Sequence, residues 1–191
     1  MGESSCATNL RSERSMTTDR ADRSGTGQVV VEGDYATITF QRTLHHAPEL
    51  VWDAITNPRE LKEWLMCSSA TIEGRTGGTI EMVAGPAQFN VKGKILTWDP
   101  PRIFEYEWKV SPVPEMPRGE DAIFRYELTP QEGSTLLTVT YRHITKQTAY
   151  GFAPGTHVLL DRLEAQLNKE PLPDWMRRFT EARRLYPGWS K

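Results

Sequence analysis

The stretch Ala47-Pro-Glu-Leu-Val-Trp-Asp-Ala-Ile-Thr-Asn-Pro-Arg-Glu-Leu-Lys-Glu-Trp-Leu65 decides the fold. It reads as two short helices in tandem, split at Asn57-Pro58. Pro48 suits a first helical turn, where its missing N–H is not needed. Leu50, Val51, Ala54 and Ile55 recur at helical spacing. Asn57 is a good N-cap, with Pro58 at the first helical position and Glu60 in the first turn. Leu61, Trp64 and Leu65 give the second helix its apolar stripe. Helices this short are not stable alone, so the pair must lie across a larger apolar surface.

The flanking sequence supplies that surface as strands. Before the helices, Tyr35–Leu44 alternates apolar Ala36, Ile38, Phe40 and Leu44 with polar neighbours, the pattern of a half-buried strand. After them, residues 70–73, 79–84 and 88–98 read as strands punctuated by Gly74, Gly77-Gly78 and Gly85-Pro86. Gly93 marks a bend around a core. Asp99-Pro-Pro101 forces a turn, and residues 102–110 then place Phe104, Tyr106 and Trp108 on one face. Residues 111–120, with three prolines, form a loop. Residues 122–129 present Phe124, Tyr126 and Leu128, and residues 135–143 present Leu137, Val139, Tyr141 and His143. These last three strands make an antiparallel meander with one aromatic-rich face. A long helix is expected over residues 154–168, striped by Thr156, Leu159, Leu160, Leu163 and Leu167. Asp174 can cap a further helix over residues 175–186, in which Trp175, Phe179, Ala182 and Tyr186 share a face.

Composition bounds the function classes. At 191 residues the chain can bury one substantial core. Its 38% hydrophobic content is low for a globular chain, which places some residues outside that core. Residues 1–29 are polar and aperiodic and are expected to be disordered. A net charge of −2 gives no basic field for nucleic acid. No apolar run reaches the roughly 20 residues of a membrane span, and no signal-peptide core is visible, so a cytoplasmic location is expected. Cys6 and Cys67 fit neither a disulfide framework nor a metal spacing, and Cys67 reads as a small buried hydrophobe. His45-His46 is adjacent, with no further ligand to complete a zinc site. No metal or cofactor is implied. The glycines of 74–78 make a turn, not a phosphate loop.

Three segments carry a family resemblance: Ala47 to Pro58 with Trp64-Leu65; Gly93-Lys-Ile-Leu-Thr-Trp-Asp-Pro-Pro-Arg102 leading into Tyr106-Glu-Trp108; and Gly155-Thr-His-Val-Leu-Leu-Asp-Arg-Leu163. In order and spacing they resemble the START-like, or SRPBCC, superfamily, and within it the activator of heat-shock-protein-90 ATPase homologue family in its stand-alone bacterial form. The resemblance implies an α+β helix-grip fold, a curved antiparallel sheet of about six to seven strands around a long C-terminal helix, with two short helices after the first strand. Residues 30–168 would form that domain and residues 169–191 a C-terminal helical extension. One departure is visible. Many relatives carry Trp after the glycine that opens the long helix, where this chain has Thr156. The smaller side chain could enlarge an internal space, or Phe152 could fill the gap.

A sheet wrapped around a helix leaves a space suited to a small molecule. The candidate lining is Phe104, Tyr106, Trp108, Phe124, Tyr126 and Tyr141 on the strands, joined by Phe40, Val139 and His143. Thr156, Leu160 and Leu163 would complete it from the helix, with Trp52 and Trp64 as gates at the mouth. Singly such residues simply fill cores; as a set, three tyrosine hydroxyls need partners. His143, on the apolar face by alternation, could move a proton within the cavity. His157 and Asp161 could pair at the helix surface, and Arg125 and Glu81 fall on the solvent side.

Three functions stay open. The first is non-enzymatic binding of a hydrophobic or aromatic small molecule. The second is regulation of a chaperone ATPase in the stress response, as the family name implies. That would need a surface patch such as Arg177-Arg178 and Arg183-Arg184, which otherwise reads as a solvated face. The third is a cyclase- or hydrolase-like enzyme using His143 or His157 as general base. The Trp175, Phe179 and Tyr186 face could clamp the parent domain or form a homodimer contact.

Overall fold

A computed structural model describes residues 25–114 and 116–186. The expected disordered segment 1–29 lies outside the described residues as far as residue 24, and Cys6 with it. One antiparallel sheet holds eight strands: β1 (Gln28–Glu32), β2 (Tyr35–Leu44), β3 (Ser69–Ile72), β4 (Thr79–Ala84), β5 (Phe89–Asp99), β6 (Ile103–Val110), β7 (Glu120–Gln131) and β8 (Ser134–Thr145). Their order across the sheet is β1-β2-β8-β7-β6-β5-β4-β3. The sheet curves without closing, as the helix-grip arrangement requires, around α3 (Lys146–Leu167). Between β2 and β3 come α1 (Pro48–Thr56) and α2 (Pro58–Trp64). A last helix, α4 (Trp175–Arg183), packs on α3.

The tandem helices form as their sequence dictates. Proline opens each, and the Asn57 side chain accepts the Arg59 N–H at 3.0 Å, capping α2. Val51, Ala54, Ile55, Leu61 and Trp64 are buried. The Trp64 indole N–H donates to the Ala54 carbonyl at 2.9 Å, tying α2 to α1. At Gly93 the sheet leaves no room for a side chain: a Cβ there would stand 1.9 Å from the Glu107 carbonyl oxygen.

Three elements differ from the sequence reading. β1 is an added edge strand, paired along its length with β2; its Gln-Val-Val-Val-Glu has no alternation to reveal it, and Val30 and Val31 stay exposed. α3 begins at Lys146, eight residues before Pro154, which lies inside it. Gly151, Pro154 and Gly155 are poor helix formers, yet the Thr145 cap and packing on the sheet carry the helix through. The Thr145 hydroxyl accepts the Thr148 N–H, while the buried Glu120 carboxylate accepts both the N–H and the hydroxyl of Thr145, at 3.0 and 2.8 Å.

His143 is the third difference. A bulge in β8 sets Ile38 opposite Tyr141 but Ala36 opposite Ile144, so β8 spends one extra residue there. His143 takes a left-handed φ of 59° and turns out to solvent, where it stacks on Tyr35 with ring centroids 3.8 Å apart. An inserted residue reverses the alternation beyond it, so His143 leaves the apolar face and Ile144 takes that place.

Candidate functional site: an aromatic cavity closed by the last helix

The space between sheet and α3 is not uniform along the helix. One end is filled. There the C-terminal half of α3 presses Leu160 and Leu163 into the core, and α1 brings Trp52 against Trp98 and Phe104, with edge-to-face centroids 5.0 Å apart for Trp52–Trp98 and 5.1 Å for Trp98–Phe104. At the other end a cavity of about 950 Å³ opens to the surface.

The cavity follows from the residues α3 presents. Where its N-terminal half faces the cavity it carries Gly151, Gly155 and Thr156, too small to reach across to the sheet, while Ala149 and Ala153 are packed in the core. Tyr106, Trp108, Phe124, Tyr126 and Tyr141 form the opposing floor, and Phe152, Gly155, Thr156 and Leu159 the roof. Phe152 lies edge-on to Trp108 at 5.0 Å and to Tyr141 at 5.9 Å. Both expectations for Thr156 therefore meet here: the small side chain lines the space, and Phe152, one turn earlier, fills part of it. Trp175 and Phe179 of α4 close one side. Asp34, Arg118 and Lys146 are the charged residues of the lining, all exposed at the rim.

Two features give the lining its chemistry. The rings supply the broad apolar faces that small-molecule sites favour. The tyrosines supply polar points within them. Burial pushes the phenols of Tyr106 and Tyr126 well above their ordinary value, and each is raised further by a neighbouring tyrosine. Burial raises Tyr141 too, partly offset by a hydrogen bond with Thr156. All three are neutral hydroxyls at physiological pH. Those of Tyr106 and Tyr126 make no hydrogen bond to another described residue, and both residues line the cavity.

A second constellation fastens α4 behind the cavity. Asp161 of α3 accepts from Arg42 of β2 at Oδ1, 3.4 Å, and from Arg178 Nε at Oδ2, 2.7 Å. His157, 1% exposed, lies 3.6 Å from Asp161 through Nε2 and 3.2 Å from the Tyr186 hydroxyl through Nδ1. That hydroxyl accepts the Gly27 N–H at 2.9 Å, and burial pushes its pKa up to about 12. Arg42 Nη1 also donates to the Gly25 carbonyl.

The sequence-predicted site residues divide accordingly. Tyr106, Trp108, Phe124, Tyr126, Tyr141 and Thr156 come together around the cavity. Phe104, Leu160 and Leu163 do not line it, because the filled end absorbs them; Phe40 and Val139 are likewise packed in the core. Trp52 and Trp64 are not gates. Neither lines the cavity: Trp64 is a structural tie between α1 and α2, and its neighbour Leu65 is the residue that reaches the lining. Neither His143 nor His157 reaches the lining, so neither stands where a general base for a cavity ligand would. In the His157–Asp161 pair the histidine is buried and the carboxylate half-buried, because β2 and α4 pack over it. Arg178 is not on a solvated face, being spent on Asp161 and on Glu181 at 3.2 Å. Arg125, expected in solvent, is half-buried between Glu127 at 2.9 Å and Glu105 at 3.6 Å. Glu81 is exposed and pairs with Lys92. Cys67 is buried, its thiol donating to the Ser69 carbonyl at 2.9 Å, and burial raises its pKa. Among the described residues no cluster could hold a metal ion, and no helix is long and apolar enough to cross a membrane.

The model of the Activator of Hsp90 ATPase homolog 1-like protein family matches residues 45–168, most of the chain. The chain belongs to that family. Solved structures agree on its fold. CalU16 from Micromonospora echinospora is 21% identical, with a TM-score of 0.63 over 85% of this chain and 93% of its own. A conserved protein of unknown function, EF2215 from Enterococcus faecalis, is 14% identical, with a TM-score of 0.63 over 92% and 99%. Protein MLL2253 from Mesorhizobium loti is 21% identical, with a TM-score of 0.61 over 71% and 99%. No curated protein sequence matches the chain. The family match takes in the strands of the cavity floor and the whole of α3. It leaves out β1, Arg42 and α4, so Trp175, Phe179 and two partners of Asp161 lie beyond it.

Proposed function

We propose that this family member binds a hydrophobic, aromatic small molecule in the cavity without transforming it. The observation that carries the reading is the pair of neutral hydroxyls on Tyr106 and Tyr126, which line the cavity among aromatic rings and have no hydrogen-bond partner among the described residues. A hydrophobic cavity wall alone would bind any apolar body; two waiting hydroxyls suit an aromatic ligand bearing a carbonyl or hydroxyl. The charged residues of the lining sit at its rim, which supports binding rather than acid–base chemistry at depth.

Prodan, a naphthalene fluorophore with one ketone, is a suitable probe. Its emission should shift blue on binding, with saturation at one equivalent. Tyr106→Phe and Tyr126→Phe should each weaken it about three- to tenfold, the value of one hydrogen bond at 0.5–1.5 kcal/mol, while naphthalene itself loses nothing. Absence of saturable binding by either compound would count against the reading. The chaperone-regulator reading would rest on Arg177, Arg183 and Arg184, which stay exposed on and just after α4.

A further inference from the structure

We infer that α4 is a movable wall of the cavity and that Asp161 is the catch that sets how fast ligand enters and leaves. The inference rests on the small-molecule reading for its ligand but not for its mechanics.

Trp175 and Phe179 stack at 5.6 Å with planes 21° apart and face the cavity across Gly155. A Cβ on Gly155 would stand 3.7 Å from Trp175 Cη2 and 3.9 Å from Phe179 Cε2, so the ring pair lies flush against bare helix backbone. An aromatic ligand beneath would meet the same two rings. They are therefore specificity residues, outside the residues the family model matches.

The other walls are tied by backbone. Gly85 N–H donates to the Leu65 carbonyl at 3.0 Å, holding the β4–β5 turn against the end of α2. In the β6–β7 loop, Val113 and Met116 exchange hydrogen bonds at 3.0 and 2.9 Å, and Met116 is buried. α4 is fastened instead by side chains. Of its nine residues only Ala182 is buried, and nine residues are too few for an independent helix. Arg162 holds the Pro173 carbonyl just before it, and along its length the anchor is one carboxylate shared by three elements, Arg42 from β2 and Arg178 from α4 meeting on Asp161 of α3. His157 and Tyr186 extend that anchor to Gly27. Without the carboxylate, the Arg42 and Arg178 guanidinium groups would face each other with no anion between them, Arg178 keeping Glu181 on its own helix. Such an anchor releases as a unit, and α4 swings with it.

Amide hydrogen exchange across Trp175–Arg183 reads the wall directly, without ligand. Asp161→Asn should speed exchange there about tenfold and leave β7 and β8 unchanged. In stopped-flow mixing with prodan, the same variant should raise both association and dissociation rates about tenfold, with Kd moving less than threefold. Trp175→Ala should weaken prodan at least threefold, and Met176→Ala, on the exposed face, should change nothing. Arg178→Gln gives the same exchange signature should Asp161→Asn fold poorly. Wild-type exchange across α4 in both variants would overturn the catch, whether or not prodan binds. Unaltered prodan affinity in Trp175→Ala would overturn the wall. A wild-type protein that ignores prodan, yet shows the exchange change, would remove the ligand reading and leave the catch standing.

Discussion

The two ends of the sheet–helix space share a composition and differ in outcome. Both are rich in aromatic rings from the same strands: Phe104 and Tyr106 are two residues apart on β6, and Tyr126 faces Phe104 across the ladder. At Phe104 the space is full, because α3 offers Leu160 and Leu163 and α1 adds Trp52. At Tyr106 it is open, because α3 offers Gly151, Gly155 and Thr156 there. The strands set which way the rings point. The helix sets whether anything is left for them to hold.

That contrast can be broken most forcefully with alkali. Tyr106, Tyr126 and Tyr141 belong to the open end, and each keeps its proton above the ordinary phenol value. The unfolded chain releases those protons near pH 10, while the folded protein retains them. The folded state then binds more protons, so stability is intact below about pH 10 and falls above it, by about 1.4 kcal/mol per pH unit for each such tyrosine. Urea midpoints between pH 9 and 11.5 should drop steeply, and Tyr106→Phe/Tyr126→Phe should flatten the slope. A flat profile in the unaltered protein would show that the open end is wetter than its geometry.

The filled end should respond to lost volume. Leu163→Ala should cost about 2–5 kcal/mol, as buried leucine truncations do, read as a lower urea midpoint with unchanged prodan affinity. The open end should respond to added volume in the opposite sense. Thr156→Leu should move the urea midpoint far less than Leu163→Ala does, since growth into a void offsets the lost hydrogen bond with Tyr141, and should weaken prodan at least tenfold. If Thr156→Leu destabilised the protein as Leu163→Ala does, the two ends would not differ as described.

Much of this was legible from residue order. The Asn57-Pro58 break, the Phe104/Tyr106/Trp108 alternation and the Leu159–Leu163 stripe report local geometry, and local geometry is what periodicity encodes. The face of each ring could be read in the same way, but not its end. Position along the groove depends on which part of α3 crosses which strand, a relation between residues far apart in sequence. The signal was present all the same, in Gly151, Gly155 and Thr156 at near-helical spacing, hidden because Pro154 reads as a helix start. His143 was misplaced by a single bulge residue, which shifts every later side chain without altering composition. The Asp161 cluster draws on Gly25, Arg42, His157, Arg178 and Tyr186, and no spacing rule joins positions so widely separated.

Arg162 carries a consequence of its own. Its guanidinium donates to the carbonyls of Glu63, Trp64 and Pro173, at 2.8, 3.1 and 2.8 Å, so one side chain grips the end of α2 and the start of α4 together. Burial is the main pull lowering its pKa, and Glu63 and Asp174 oppose it. The connection from Asn168 to Asp174 is thus measured at both ends, by the last turn of α3 and by this fork. Surface connections ordinarily tolerate insertions and deletions. This one works as a ruler: a residue gained or lost there would carry Pro173 past the guanidinium and shift Trp175 and Phe179 out of phase with Gly155.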